Sequence, residues 1–346
     1  MFARVLAAAQ RRLLALMLGC YGLAAVLPGP GEALRRLGTP LPGGAGRLTL
    51  PMALLALMVF NAGLGVRLGE LREVARRPLR AGLGVAANAL LPLAVLPLAA
   101  AVLSLWPDAA EAEGLLVGLL LVLAMPIAGG AASWAQNAGG DMPLAVATVV
   151  GSTLLSPLTV PATIYLAGRV VGPAGLGTLD DTTTIDGIAR TGAGVFAVVA
   201  VVLPCLAGMG ARALLGERAV RRTLPAVKAV NLLNVLLLCY VNATGALGRA
   251  LAHPDPDLLV VAPLAAAAVC FLGFRCGRWT SAWTRCDGPA AVSLSLATGM
   301  NNSSAAAALA ATCFAQRPQV LLPILAYSLV QKIAAQTATR APRHRR

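Results

Sequence analysis

Two stretches place polar atoms inside sequence too apolar to hydrate them. One reads Ala124-Met125-Pro126-Ile127-Ala128-Gly129-Gly130-Ala131-Ala132-Ser133-Trp134-Ala135-Gln136-Asn137, the other Ala297-Thr298-Gly299-Met300-Asn301-Asn302-Ser303-Ser304. In the first, Pro126 lacks a backbone donor and Gly129-Gly130 forms helix weakly. In the second, every side chain from Asn301 to Ser304 is polar, which is expensive in an apolar solvent unless each finds a partner. A helix broken at such a place frees backbone groups. Its positive half-helix ends suit an anion, and its carbonyl oxygens suit a cation. Small residues also serve as helix-packing surface, and the Ala305–Ala311 run is read that way. Adjacent helical residues point about 100° apart, so neither amide pair can turn both side chains into one packing seam. Gln136, Asn137, Asn301 and Asn302 are therefore candidate substrate-binding residues, with Ser303 beside them. Lesser polar positions are Asn88 near Pro92, Ser152-Thr153, Asn231, Asn234 and Gln331-Lys332, where Lys332 is expected to snorkel to a helix end.

Other chemistries lack their groups. None of the 14 acidic residues lies deep in an apolar stretch, and both histidines, His253 and His344, fall in loops or tails. An aspartyl, zinc or Ser-His hydrolase inside the membrane, or a carboxylate proton relay, would need such groups there. The seven cysteines show no CxxC and no paired histidine, so neither metal nor disulfide is read from them. The chain is not read as an enzyme and no cofactor is expected, a sodium ion being the one candidate small partner besides substrate.

The elements that must position these residues follow from composition. Hydrophobic residues make up 58% of the chain and charged residues 12%, about half the soluble norm. Runs of about twenty apolar residues predict ten membrane spans, near 12–28, 48–68, 80–105, 115–138, 142–168, 189–211, 225–247, 258–275, 288–313 and 319–338. The eighth is among the shortest. The start, with Arg4, Arg11, Arg12 and Met17-Leu18-Gly19-Cys20, has some signal-peptide character and is read as a first span. The net charge of +14 is read as loop charge facing the cytoplasm against membrane lipid, not as a nucleic-acid surface. With the N-terminus cytoplasmic, most basic residues fall inside, including Arg67, Arg72, Arg76, Arg77 and Arg80, then Arg212, Arg218, Arg221, Arg222 and Lys228. The acidic groups Asp108-Glu111-Glu113, Asp180-Asp181-Asp186 and Asp255-Asp257 fall outside. Both termini are then cytoplasmic, and the strong bias to Ala and Arg suggests a bacterial inner membrane.

Spans six to ten follow spans one to five at a near-constant offset. Five is odd, so the halves, 1–173 and 174–346, enter from opposite sides as an inverted repeat, and the two polar breaks occupy equivalent spans. Phe60-Asn61-Ala62-Gly63 echoes Val241-Asn242-Ala243-Thr244, which adds Asn61 and Asn242 to the substrate-binding candidates.

The chain resembles the bile acid:sodium symporter family over roughly residues 48–338. The resemblance rests on Phe60-Asn61-Ala62-Gly63-Leu64 before a basic loop, on Ser152-Thr153-Leu154-Leu155-Ser156-Pro157-Leu158-Thr159-Val160-Pro161, and on Gly299-Met300-Asn301-Asn302-Ser303. It implies an all-α polytopic protein of ten spans in two inverted five-helix repeats. A core (about 80–168 and 258–338) would hold discontinuous, crossing spans four and nine, and a panel would span about 12–68 and 189–247. It also implies an organic-anion substrate moved by alternating access, usually with sodium. The sequence departs at the sodium sites. Ala297 stands where the family has a glutamate, and Asn301 where it has a glutamine. Trp134 replaces an asparagine, Ala145 and Val149 replace hydroxyls, and Asn88 lies one step from a glutamine position aligned with Ala87. What is left for an ion is Ser133 at one site and the backbone of Thr298 and Met300 with Asn301, and Asn88 near it, at the other. The coupling ion is thus open, and a ligand sensor on the same fold is the alternative to a transporter.

Overall fold

Without water, a backbone must satisfy its own hydrogen bonds, and the chain answers almost wholly with helix. The computed structural model describes residues 6, 9–10, 12–40, 47–67, 69, 78–171, 193–252, 255–314 and 317–340. Helix α1 (Leu13–Val26) meets α2 (Pro28–Arg36) at a 93° bend, where Pro28 opens the second helix. A two-stranded antiparallel ribbon, β1 (Gly38–Pro40) with β2 (Arg47–Thr49), leads into α3 (Leu50–Gly65). There follow α4 (Pro78–Leu103), α5 (Ala109–Ala124), α6 (Gly130–Ala138), α7 (Met142–Val171) and α8 (Ala193–Ala197). A π-helical turn, Val198–Val202, then continues into α9 (Leu203–Ala252). The last are α10 (Pro256–Trp283), α11 (Gly288–Gly299), α12 (Ser303–Cys313) and α13 (Pro318–Arg340).

Among the described residues five helices are long and apolar enough to cross a membrane, or six if α1–α2 is one bent span. The chain is an all-α membrane protein but for the short ribbon. The halfway boundary at 173/174, the loop positions Arg72, Arg76 and Arg77, and both histidines lie outside the described residues. Two expectations on length change. The eighth predicted span, far from shortest, is α10 with 28 residues, because the helix runs past its apolar stretch until Arg275 lies 5.5 Å from the Trp279 ring. The loop expected after residue 211 is a single residue, Gly216, whose φ of 73° breaks α9 into two helical segments. Arg212 sits beside that break, donating to the Leu64 carbonyl at 2.8 Å and pairing with Glu217.

Four carboxylates start helices instead of doing chemistry. Asp108 accepts from Ala110 N–H at 2.8 Å and Asp141 from Leu144 N–H at 3.0 Å. Asp255 accepts from Asp257 N–H at 3.0 Å, and Asp287 from Ala290 N–H at 3.0 Å. Each satisfies an amide that a helix start leaves open.

Packing divides the helices into two groups. α1 and α3 pack on α9. α4 packs on α7, and α10 packs on α11 and α13. At the centre lies α5, buried at every residue from Ala112 to Ala124, as a helix apolar on all sides must be.

Candidate functional site

The two polar stretches are breaks between paired half-helices. α5 stops at Ala124, and the chain runs extended from Met125 (φ −69°, ψ 151°) until α6 begins at Gly130. α11 stops at Gly299, and Met300 (φ −120°, ψ 97°) leads through Asn301 and Asn302 into α12. The breaks pair with each other as an antiparallel bridge at Ile127 and Asn301. Ala128 N–H donates to the Met300 carbonyl at 2.8 Å, and Asn302 N–H donates to the Pro126 carbonyl at 2.9 Å. Groups that each break removes from its own helix are therefore satisfied by the other break. α6 packs on α11 and α12 on α5, so each half-helix lies against a partner from the other break.

Side chains complete the crossover. Asn301 is 0% exposed and Asn88 3%. The Asn88 amide donates to the Asn301 side-chain oxygen at 2.6 Å, and the Asn301 amide faces the Leu123 carbonyl at 3.5 Å. Ser152 Oγ accepts from Ile127 N–H at 3.1 Å. Gly299 O, the last carbonyl of α11, accepts from Tyr327 OH at 3.1 Å. Asn302 caps α12, its side-chain oxygen accepting from Ala305 N–H at 3.1 Å. Ser303 accepts from the Gln331 amide at 3.0 Å. Tyr327 was not among the sequence candidates. Its signal was available, since a tyrosine inside an apolar helix needs a partner for its hydroxyl.

A narrow cavity lies beside the crossover. Tyr21 of α1 and Cys239 and Asn242 of α9 line one side, Ser303 of α12 and Ser328 of α13 the other. Two sequence candidates, Asn242 and Ser303, thus meet there. Asn242 Oδ1 is buried with no hydrogen-bond partner. Asn61 lies on α3 next to Ala62, whose methyl sits within 3.3 Å of where a Cβ on Gly129 would be, and the Asn61 amide nitrogen also has no partner. Ser133, Gln136 and Asn137 are exposed on α6, beyond the break and away from the buried Asn301 and Asn302.

The oxygens that the resemblance offers a cation are already engaged in this conformation. Asn88 occupies the Asn301 oxygen, Ala128 occupies the Met300 carbonyl, and Thr298 Oγ1 donates to Gly273 O at 2.8 Å and Leu294 O at 3.0 Å. Ala297 is 1% exposed and brings no charge. Among the described residues no group of His, Cys, Asp or Glu could hold a metal ion. A bare cation here would have to share these oxygens with their present donors, using the second lone pair of each, and would find only neutral ligands.

The water-exposed ends carry their own chemistry. Trp106 Nε1 donates to Glu111 at 3.0 Å, and Glu111 shares a hydrogen bond with Asp255 at the start of α10. Burial and this neighbour raise the Glu111 carboxyl, while the bond from Glu111 lowers Asp255. The pair is most favourable with one proton between them. Stability from Glu111 is lost as pH rises through its raised value, and that from Asp255 as pH falls through its lowered one. The melting temperature should therefore fall slightly as pH rises above the ordinary carboxylate range through the raised Glu111 value. In Glu111→Gln, which keeps a donor, that slope should vanish. An unchanged slope in the variant would place the titration elsewhere.

Apolar helices, two of them broken in matching fashion and hydrogen-bonded to each other at the break, define a multi-pass membrane protein of the transporter kind. The chain belongs to the Sodium Bile acid symporter family, whose match covers residues 52–252. Members of that family are transporters rather than enzymes. No curated protein matches the chain.

Proposed function

We propose that the chain carries a small or amphipathic organic anion across the membrane by alternating access. The ten spans are α1–α2, α3, α4, α5–α6, α7, α8 through the first segment of α9, its second segment, α10, α11–α12 and α13. They form two inverted repeats, with α4 to α7 and α10 to α13 as core and α1, α3 and α9 as panel. Both termini face the cytoplasm, in a bacterial inner membrane. The observation that carries the reading is the Ile127–Asn301 bridge, which locks two half-helix pairs into one body. A core so tied can rock against the panel as a unit, exposing the cavity at Asn242 and Ser303 to one side and then the other. Asn61, Asn301, Asn302, Gln136 and Asn137 complete the proposed substrate path.

Proteoliposomes test this with a bile acid, cholate, and a short monocarboxylate, butyrate, as labelled probes. Uptake of either above empty liposomes is expected. Absence of flux for both, in a preparation whose melting temperature they raise, would leave a binding protein and remove transport. The coupling ion stays open, since sodium would find only neutral oxygens that already accept hydrogen bonds. The expected result is one melting temperature in sodium, potassium and choline chloride at equal ionic strength. A rise specific to sodium would assign Ser133, Asn88, Thr298, Met300 and Asn301 to a working ion site.

A further inference from the structure

We infer that Lys332 is a tethered cation that receives the carboxylate of the ligand in the cavity between α9 and α13. The inference rests on the transporter reading and names the substrate class for its site.

Lysine is rare in this chain, with only Lys228 and Lys332 among 28 basic residues, and Lys332 lies within an apolar helix. A lysine near the end of a span ordinarily reaches outward to the headgroups. This one turns back along α13. Its Nζ donates to the Ser328 carbonyl at 2.8 Å and to Ser328 Oγ at 3.2 Å. Ser328 lines the cavity that Tyr21, Cys239, Asn242 and Ser303 share, and the Tyr21 hydroxyl also meets Ser328. Cys239, on the panel side, lies close enough to Lys332 for the two groups to interact.

No carboxylate answers this ammonium. Among the described residues the ion pairs are Arg212–Glu217 and Arg317–Glu113, and neither involves Lys332. A half-buried cation held by two neutral oxygens is incompletely compensated and gains when an anion joins it. The cavity also presents an unused acceptor. Asn242 Oδ1, at a residue 3% exposed, is buried and unpartnered, and behind the lining residue Ser303 the Gln331 Oε1, at a residue 2% exposed, is unpartnered too. An acceptor out of water seeks a donor. The ligand that satisfies both sides is a carboxylate bearing a hydroxyl or N–H donor a few bonds away. Such an anion would cross beside Lys332 as a neutral pair. That removes the need for a dissolved cation, in a chain where Ala297 has removed a carboxylate to hold one.

The test uses the purified full chain in choline chloride and three probes: 3-hydroxybutyrate, butyrate and the uncharged 3-hydroxybutyramide. In the native chain, 3-hydroxybutyrate should raise the melting temperature most, butyrate less and the amide not at all. Lys332→Gln should weaken 3-hydroxybutyrate binding at least tenfold, and Lys332→Arg should retain most of it. Asn242→Asp, which sets a carboxylate across the cavity from the ammonium, should raise the unliganded melting temperature and abolish the shift. An equal shift in Lys332→Gln would overturn the assignment, as would no shift in the native chain or a destabilised Asn242→Asp that still binds. Flux separates the two readings. Uptake unaffected by Lys332→Gln removes this site and leaves transport, whereas Lys332-dependent binding without uptake removes transport and leaves the site.

Discussion

Alanine at Asn301 is expected to abolish uptake in a chain that still folds and inserts. Asn301 is the fully buried side chain at the centre of the crossover, and its oxygen receives the Asn88 amide at 2.6 Å. Removing it leaves that amide without its acceptor, at about 1–3 kcal/mol. A domain with about 5–15 kcal/mol of stability survives that loss. The bridge itself survives too, because the bonds from Ala128 and Asn302 to Met300 and Pro126 use backbone atoms alone. What goes is the polar link that ties α4 to the break. On the proposed mechanism α4 then no longer follows the bridged half-helices, and the movement past the substrate fails at that link. The measurement is uptake in proteoliposomes beside helix content and melting temperature. The expected combination is uptake at the level of empty liposomes, unchanged helix content and a melting temperature lower by several degrees. Uptake within twofold of the native rate would detach Asn301 from transport. Asn302 provides the contrast, since its side chain caps α12. Asn302→Ser, which preserves a cap but removes the amide from the proposed substrate path, should keep its melting temperature and lose uptake, and Asn302→Ala should in addition cost about 1 kcal/mol of stability.

Much of this arrangement could be read from local pattern. Apolar runs of the right length located the helices, and Pro126 with Gly129-Gly130, and Asn301 to Ser304, located the breaks to within a few residues. Local pattern could not say what a freed group bonds to, since Asn88 and Asn301 are 213 residues apart. Nor could it separate the two amides of a neighbouring pair. Asn301 and Asn302 looked alike in sequence, yet one joins a helix across the core while the other caps the helix that it starts. Gln136 and Asn137 were drawn to the break by their polarity, but the break closes at Gly129 and they end the next half-helix. Lys332 was expected to reach outward on grounds of position alone. Its inward turn depends on Ser328 one turn earlier, a pairing that is visible at i, i−4 once the helix is drawn. Gly216 was hidden for a different reason. A single left-handed glycine can do the work of a loop, and composition averaged over a window does not register one residue.

Valine at Gly63 or at Gly208 breaks the panel apart. The two glycines sit where α3 and α9 approach backbone to backbone. A Cβ on Gly63 would run into the Cys205 carbonyl, and one on Gly208 into the Phe60 carbonyl. The contact is reciprocal, each glycine lying over a carbonyl of the other helix, as small residues allow where lipid provides no hydrophobic drive for helices to associate. A flexible side chain could move aside, but these obstacles are main-chain atoms held in helical hydrogen bonds. Overpacking of this kind costs about 1–3 kcal/mol and occasionally more, and the backbone contact puts these sites at about 3 kcal/mol. Two other glycines on the same helices serve as controls. Gly65 and Gly210 have open space where a Cβ would stand. Valine there should leave the melting temperature unchanged or raise it, because glycine is the weaker helix former. Separating α3 from α9 also carries Ala62 away from Gly129, so the crossover loses the panel surface that it faces. The purified Gly63→Val and Gly208→Val chains should therefore melt well below the native protein and lose uptake, while Gly65→Val and Gly210→Val keep both. If all four variants behave alike, the seam is not the contact that holds the panel together, and α9 must be held by its packing on α1 and α13 instead.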